Sequence, residues 1–137
     1  IYTDMFNFEK AIASYMTAIE IDNNSSAAHN NLANLFNNMD NHEAEYHYIK
    51  TIELVPDEIY PRLNTANYFI KNGKFNESIK YLSELVDMGL ESKEVFNSFG
   101  VAYKGLEDNT NAKNMFNKSL EIDAEFLLAQ KNLDSIK

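Results

Sequence analysis

The 137-residue chain contains no cysteine, only four glycines and only two prolines. Without cysteine it has neither disulfides nor thiolate metal ligands; this agrees with a reducing compartment, and we expect a cytoplasmic protein. No run of about 18 uninterrupted apolar residues is present, so the sequence predicts no transmembrane helix. The few glycines form no phosphate-cradling loop. The alternation of apolar and polar residues that is typical of strands is also missing.

Basic residues are few as well: 12 Lys and Arg stand against 21 Asp and Glu, which gives a net charge of -9. They are scattered, whereas binding nucleic-acid phosphates requires clustered cations, so we do not expect a nucleic-acid partner. Of the three histidines, we interpret His29 as a packing residue and His42 as a filler of a turn. Glu43 and His47 lie four residues apart on one helix face, but zinc needs three or four ligands. We therefore predict no metal, no cofactor and no enzyme within these residues.

The sequence does contain a unit that repeats every 33 or 34 residues. Small residues recur at Ala11, Ala44, Ser78 and Ala112, and large residues recur four positions later at Tyr15, Tyr48, Leu82 and Phe116. Two further series keep the same phase: Ile21, Leu54, Met88 and Ile122, and Ala33, Ala66 and Gly100. The stretch Phe96–Asp123 shows the pattern best. We interpret the series as packing positions of a helical hairpin, where small residues mark the closest approaches and aromatic residues fill the remaining space.

Helical periodicity divides each unit into a first helix, A, and a second helix, B. The predicted helices are Ile1–Phe6, Asn7–Asp22, Ser25–Met39, Asn41–Leu54, Asp57–Asn72, Lys74–Met88, Ser92–Gly105, Asp108–Asp123 and Glu125–Ile136. Gly73 and Gly89 are expected at helix C-termini. Pro61 falls in a first helical turn, where its missing N–H costs little.

The unit resembles that of the tetratricopeptide repeat family, a 34-residue helix-turn-helix with small residues at two facing sites and an aromatic residue in helix A. The resemblance covers essentially the whole chain and implies an all-α fold, a right-handed superhelical array of antiparallel helix-turn-helix repeats. We expect one array over residues 1–137, made of a partial repeat (1–25), three repeats (26–58, 59–92 and 93–124) and a capping or half-repeat helix (125–137). Because Ile1 would fall inside a helix A, we expect a fragment of a longer protein.

The resemblance also implies that the A helices line a concave groove that binds extended or helical peptides. Here the A helices carry little charge, while acidic residues concentrate in the B helices and turns, so we expect a neutral to weakly basic groove. Asparagines recur along the A helices and resemble the asparagine ladder of the tetratricopeptide superhelix in protein O-glycosyltransferases. An amide can pair with a peptide C=O and N–H together. The expected groove residues are Asn30, Asn31, Asn34, Asn64, Asn67, Lys71, Asn97, Ser98, Lys104 and Asn132.

A second binding mode of the family, the carboxylate clamp, is incomplete in this sequence. Asn34 and Asn64 match its asparagines, but Asn30, Glu94 and Ser98 stand where its cations should be, so we reject it. The chain is thus predicted to be a protein–protein interaction module with a protein or peptide partner. Two alternatives stay open. One is a scaffold that self-associates end to end through the open ends of the array, and the other is the recognition arm of a larger enzyme such as a glycosyltransferase.

Overall fold

The computed structural model describes residues 2–136, which form eight α-helices and no strand. The helices are α1 (Tyr2–Ile21), α2 (Ser26–Asn38), α3 (Glu43–Leu54), α4 (Ile59–Lys71), α5 (Phe75–Asp87), α6 (Lys93–Gly105), α7 (Asn109–Ile122) and α8 (Leu127–Asp134). The all-α prediction is confirmed, and from α2 onward the predicted helices match the observed ones to within about two residues. Ile1, on which the prediction of a fragment rests, lies outside the described residues.

The chain divides into two compact units. Unit 1 (Ile1–Pro61) contains α1, α2, α3 and the first turn of α4, and unit 2 (Arg62–Lys137) contains the rest of α4 and the four helices that follow. The assignment of the whole chain to one array of repeats stays a prediction.

Helix α1 runs without a break through Asn7, where the sequence predicts the turn between two helices. That prediction is wrong. In the later hairpins, the turn between helices A and B places Asp40, Gly73 and Glu107 at positive φ. The equivalent position one period earlier is Phe6, and a bulky aromatic residue is strained in that region of φ. The backbone therefore continues as a helix.

The other helix ends follow local chemistry. Ser25 and Ser92 cap α2 and α6, because their hydroxyls accept the backbone N–H groups of Ala28 and Val95 at 3.3 and 3.2 Å. Positive φ at Gly73 and Gly89 agrees with the prediction that these glycines stand at helix C-termini.

Within each unit, neighbouring helices pack through the small and aromatic positions of the repeat. In unit 1, α2 packs against α3 with Ala33 and Ala44 fully buried. In unit 2, α6 packs so closely on α7 that a Cβ added at Gly100 would collide with the ring of Phe116. The interpretation of these series as close-approach and filling positions is confirmed.

One of the four series does not pack as predicted. Ile21 is 83% exposed and Ile122 is 51% exposed, and Met88 also faces solvent, while Leu54 is half-buried. Each of these residues stands at the end of a B helix. There the chain turns toward the next helix, and the side chain stays at least partly exposed to solvent. Apolar residues at these positions are therefore available for contacts with other molecules.

Candidate functional site

Helix α4 presents two of the predicted groove asparagines on one face. Asn64 is half-buried and Asn67 is exposed, and residues three apart on a helix are neighbours. Neither side chain forms a hydrogen bond to any other residue between 2 and 136. Lys71, one turn further along α4, is exposed as well. Two amides with unused donors and acceptors thus lie side by side on the surface of unit 2.

Helices α6 and α8 use their asparagines differently. The side-chain amide of Asn132 donates to Oδ1 of Asn97 at 3.0 Å, and Asn97 is buried. Nζ of Lys104 donates to Oγ of Ser135 at 2.5 Å, and this hydroxyl donates to the carbonyl of Asn132 at 2.6 Å. These contacts join α8 to α6. Asn97 and Lys104 therefore have structural partners that their sequence positions did not reveal.

In unit 1, the predicted groove residue Asn34 is also engaged. The hydroxyl of Tyr48 donates to Oδ1 of Asn34 at 2.7 Å, and the amide of Asn37 reaches the same hydroxyl at 3.4 Å. Tyr48 is buried on α3, so this network fastens α3 to α2. Asn31 is exposed on the same helix.

Asn30 lines a cavity of about 310 Å³ in unit 1, together with Ser26, Thr51 and Tyr60. Its Oδ1 is buried and has no hydrogen-bond partner among the described residues. A buried acceptor without a partner costs free energy. Asn30 thus differs from Asn64 and Asn67, whose unpaired amides lie at the surface, because its unpaired oxygen is buried.

Two cationic side chains of the A helices form ion pairs with acidic side chains. Nε of Arg62 on α4 donates to Glu84 on α5 at 3.0 Å, and Nζ of Lys93 on α6 donates to Asp123 at 2.5 Å. The hydrogen bond with Asp123 raises the pKa of Lys93, and the same bond lowers the pKa of Asp123. Arg62 and Lys93 of the A helices are thus paired with acids of the B helices and their ends.

A buried histidine pair in unit 1 was missed by the sequence analysis. Nδ1 of His29 lies 2.9 Å from Nδ1 of His47, and Nε2 of His29 lies 3.0 Å from the carbonyl of Asn23. Burial, and secondarily the charge that His29 can carry, lower the pKa of His47 to about 4. His29 packs inside as predicted, but His42 is exposed, so its interpretation as a turn filler is wrong. The signal that could have found the pair was the hairpin itself, which brings these two helix positions together.

Across residues 2–136, no three or more His, Cys, Asp or Glu side chains are grouped to hold a metal ion. Within the same residues, no helix combines the length and apolarity needed to cross a bilayer.

Comparisons with known proteins agree with the hairpin geometry. A family profile described as "TPR repeat" matches residues 1–40, and one described as "Tetratricopeptide repeat" matches residues 94–126. Together they cover more than half of the chain. No curated protein sequence matches the chain.

Several solved structures share the fold. MamA (41-end) from Desulfovibrio magneticus RS-1 aligns with a TM-score of 0.83 at 16% identity, covering 92% of this chain and 72% of that chain. The N-terminal domain of stress-induced protein-1 from C. elegans gives 0.70 at 25% identity, with 80% and 93% covered. The first TPR of Spaghetti (RPAP3), bound to the HSP90 peptide SRMEEVD, gives 0.73 at 18% identity, with 81% and 89% covered.

The repeat spacing, the antiparallel hairpins and these structural neighbours define an α-helical repeat protein. The chain belongs to the tetratricopeptide repeat family.

Proposed function

We propose that the chain is a protein-interaction module that binds an extended peptide segment of a partner along its A helices, with Asn64 and Asn67 contacting the peptide backbone. The repeats and the peptide-bound relative support a protein-interaction module, since this repeat fold typically serves as a non-catalytic interaction scaffold. The observation that carries the proposal is the pair of surface amides on α4 that have no hydrogen-bond partner within residues 2–136.

The spacing of the two amides suits an extended chain. Side chains three apart on a helix stand about 5–6 Å from each other. An extended peptide advances about 3.3 Å per residue, so peptide groups two residues apart repeat at nearly the same distance. Because each amide offers both a donor and an acceptor, Asn64 and Asn67 can pair with alternate peptide groups without reading side chains. Such a surface binds many sequences in one backbone conformation.

Asn31 and Asn132 are assigned different parts in this proposal. Asn31 is exposed on α2 and remains a predicted peptide contact, as do Ser98 and Lys71. Asn132 already donates to Asn97, so its replacement would disturb α8 as well as any bound peptide. Asn64 and Asn67 are therefore the residues to test first.

The experiment uses peptides selected from a displayed random library against the whole chain, with dissociation constants measured by fluorescence anisotropy. Replacing Asn64 and Asn67 together by alanine should weaken binding about tenfold, because two hydrogen bonds of about 0.5–1.5 kcal/mol each are lost. Asn76 and Asn117, which are exposed asparagines on B helices, provide the matched alanine control. N-methylation of the peptide backbone should weaken binding to the original chain more than to the double variant.

Two outcomes would overturn this proposal. One is equal affinity for the original chain and the Asn64/Asn67 variant when both have the same melting temperature. The other is tight binding of the SRMEEVD peptide that depends on its terminal carboxylate. Spaghetti is solved with that peptide, whereas here Asn30, Glu94 and Ser98 stand where the resemblance places clamp cations.

A second candidate function is end-to-end self-association, and one observation favours it. Leu127 and Leu128 begin α8 and are 63% and 53% exposed, next to each other on the surface of unit 2. Replacing both by lysine should abolish any concentration-dependent growth in particle mass seen by light scattering. A chain that is monomeric at every concentration would remove this candidate.

A further inference from the structure

A cleft outside the A-helix asparagines lies between α5, α6 and α7 of unit 2. Two neighbouring cavities of about 250 and 320 Å³ share Phe96 and Lys118 as lining residues, and we call them together the Phe96 cleft. Phe96 and the predicted groove residue Ser98 are two positions apart on α6 and therefore lie on different faces of that helix. Neither Asn64 nor Asn67 of the proposed peptide site lines either cavity.

The floor of the Phe96 cleft is apolar. The rings of Phe96 and Phe99 stack with centroids 6.5 Å apart, and Val86 and Met115 line the same cavity. Ile122, which is half exposed at the end of α7, lines the other cavity. Methionine adapts to the shape of what it contacts. The larger of the two cavities is at the lower end of the roughly 300–1,000 Å³ of small-molecule sites, so each suits a side chain better than a drug-sized ligand.

The rim of the cleft is acidic. Asp87 lines the first cavity, and Glu91 and Glu121 line the second. Lys118 is the one cationic side chain among the described residues that line them. Its Nζ lies 5.5 Å from the centroid of the Phe96 ring, in a cation–π contact. The rim therefore attracts a cation and repels an acidic segment. The ring of Phe96 already has a cation, Lys118, on its face.

We propose that the Phe96 cleft docks a segment of a partner protein that carries an apolar side chain close to an arginine. The apolar side chain enters the cavity lined by Val86 and Met115. The guanidinium displaces Lys118 from the face of Phe96 and pairs with Glu91 and Glu121. Arginine is preferred over lysine because its planar group stacks on an aromatic ring while it forms two parallel hydrogen bonds to a carboxylate. Lys118 occupies the arginine position until the partner arrives.

The test uses fluorescein-labelled peptides that hold one leucine or phenylalanine and one arginine, separated by one, two or three residues. A second panel has glutamate in place of the arginine. Binding to the whole chain is followed by anisotropy, and the location is followed by NMR shifts of the Met115 methyl group. At least one arginine peptide should bind saturably and shift that methyl, while the glutamate panel should not.

Charge-reversal variants sharpen the test. Glu91→Lys with Glu121→Lys should weaken binding of the arginine peptide about tenfold or more, since two exposed ion pairs are lost and replaced by repulsion. Glu53→Lys with Glu77→Lys changes the net charge equally at exposed positions on other helical surfaces and should leave binding within about twofold. Lys118→Ala should strengthen binding a few-fold, because the competing cation is removed.

The proposal is overturned if the glutamate panel binds as well as the arginine panel, or if the two charge-reversal pairs weaken binding equally. Weaker binding to the Lys118→Ala variant would also overturn it, because the lysine would then be a contact and not a competitor. If sedimentation shows that a second copy of the chain fills the cleft, the partner assigned here is wrong. Failure of the Asn64/Asn67 experiment has no bearing on any of these results.

Discussion

Nδ1 of His29 on α2 lies 2.9 Å from Nδ1 of His47 on α3, in the buried part of unit 1. A backbone carbonyl only accepts hydrogen bonds, so Nε2 of His29, 3.0 Å from the carbonyl of Asn23, carries a proton. With both rings neutral, Nδ1 of His29 is then the acceptor and Nδ1–H of His47 is the donor. The pair connects the turn before α2 with the middle of α3.

The first prediction is that unit 1 loses stability as the pH falls below about 7. The pKa of His47 is lowered from 6.5 to about 4 in the folded protein, so the unfolded chain binds a proton more readily in the window between these values. The free energy of unfolding is therefore highest above about pH 6.5, where His47 is neutral in both states. It declines as the pH drops toward 4. Between pH 7 and 5 the loss should be about 2 kcal/mol, at about 1.4 kcal/mol per pKa unit. Chemical denaturation at each pH measures it.

Two matched variants test whether His47 is the source of this pH dependence. His47→Asn keeps an N–H donor near the position of Nδ1 but does not titrate, so the stability of this variant should vary less between pH 7 and 5. His42→Asn changes an exposed histidine at the start of α3 and should leave the pH dependence of the original chain. If both variants keep the full dependence, the histidine pair is not its source.

The second prediction compares two glycines of α6. A Cβ at Gly100 would collide with the ring of Phe116, which is fully buried and has no space to move into. Gly100→Ala should therefore destabilise the protein by about 1–3 kcal/mol, more than the roughly 0.5–1 kcal/mol that alanine gains over glycine in a helix. At Gly105 the colliding ring is that of Phe75, which is half-buried and can turn toward solvent. Thermal denaturation should show a clearly smaller loss for Gly105→Ala, and equal losses would contradict the packing argument.

The 33- or 34-residue spacing was enough to predict the helices, because Ala33, Ala44, Gly100 and Phe116 must recur wherever the same hairpin packs. It was not enough at the chain start, where the turn expected before Asn7 is absent and α1 continues as one helix. The spacing also predicted that Ile122 packs in the hairpin, but this side chain is 51% exposed. A periodic apolar residue indicates a contact, but the sequence does not show whether that contact is within the chain or with another molecule. Hydrogen bonds between side chains were the hardest feature to predict from the sequence. It placed Asn97 and Asn132 on A helices, but it did not show that they form a hydrogen bond with each other.

The third prediction separates asparagines that stabilise the fold from those on its surface. Asn132→Ala removes the donor to Oδ1 of the buried Asn97 and should lower the free energy of unfolding by about 1–3 kcal/mol. Asn64→Ala removes no hydrogen bond to residues 2–136 and should change it by less than about 0.5 kcal/mol. Urea denaturation of the two variants measures the difference. If Asn64→Ala costs as much as Asn132→Ala, it cannot serve as a fold-neutral test of peptide binding.

The fourth prediction concerns the hydroxyl of Tyr48, which donates to Asn34 at 2.7 Å. Tyr48→Phe removes this bond without changing the packing of the ring and should destabilise the protein by about 0.5–1.5 kcal/mol. Tyr46→Phe is the control, because Tyr46 is 60% exposed and its replacement should have almost no effect. The same bond means that Asn34→Ala should also weaken the fold.

A double-mutant cycle of Tyr48→Phe and Asn34→Ala tests that connection. The two residues share a hydrogen bond, so the double variant should lose less stability than the sum of the single losses, by about 0.5 kcal/mol or more. Strict additivity would show that the bond contributes nothing in solution. A coupled result would mean that Asn34 acts first by fastening α3 to α2, and a loss of peptide binding in Asn34→Ala would then follow from the weakened hairpin as readily as from a lost contact.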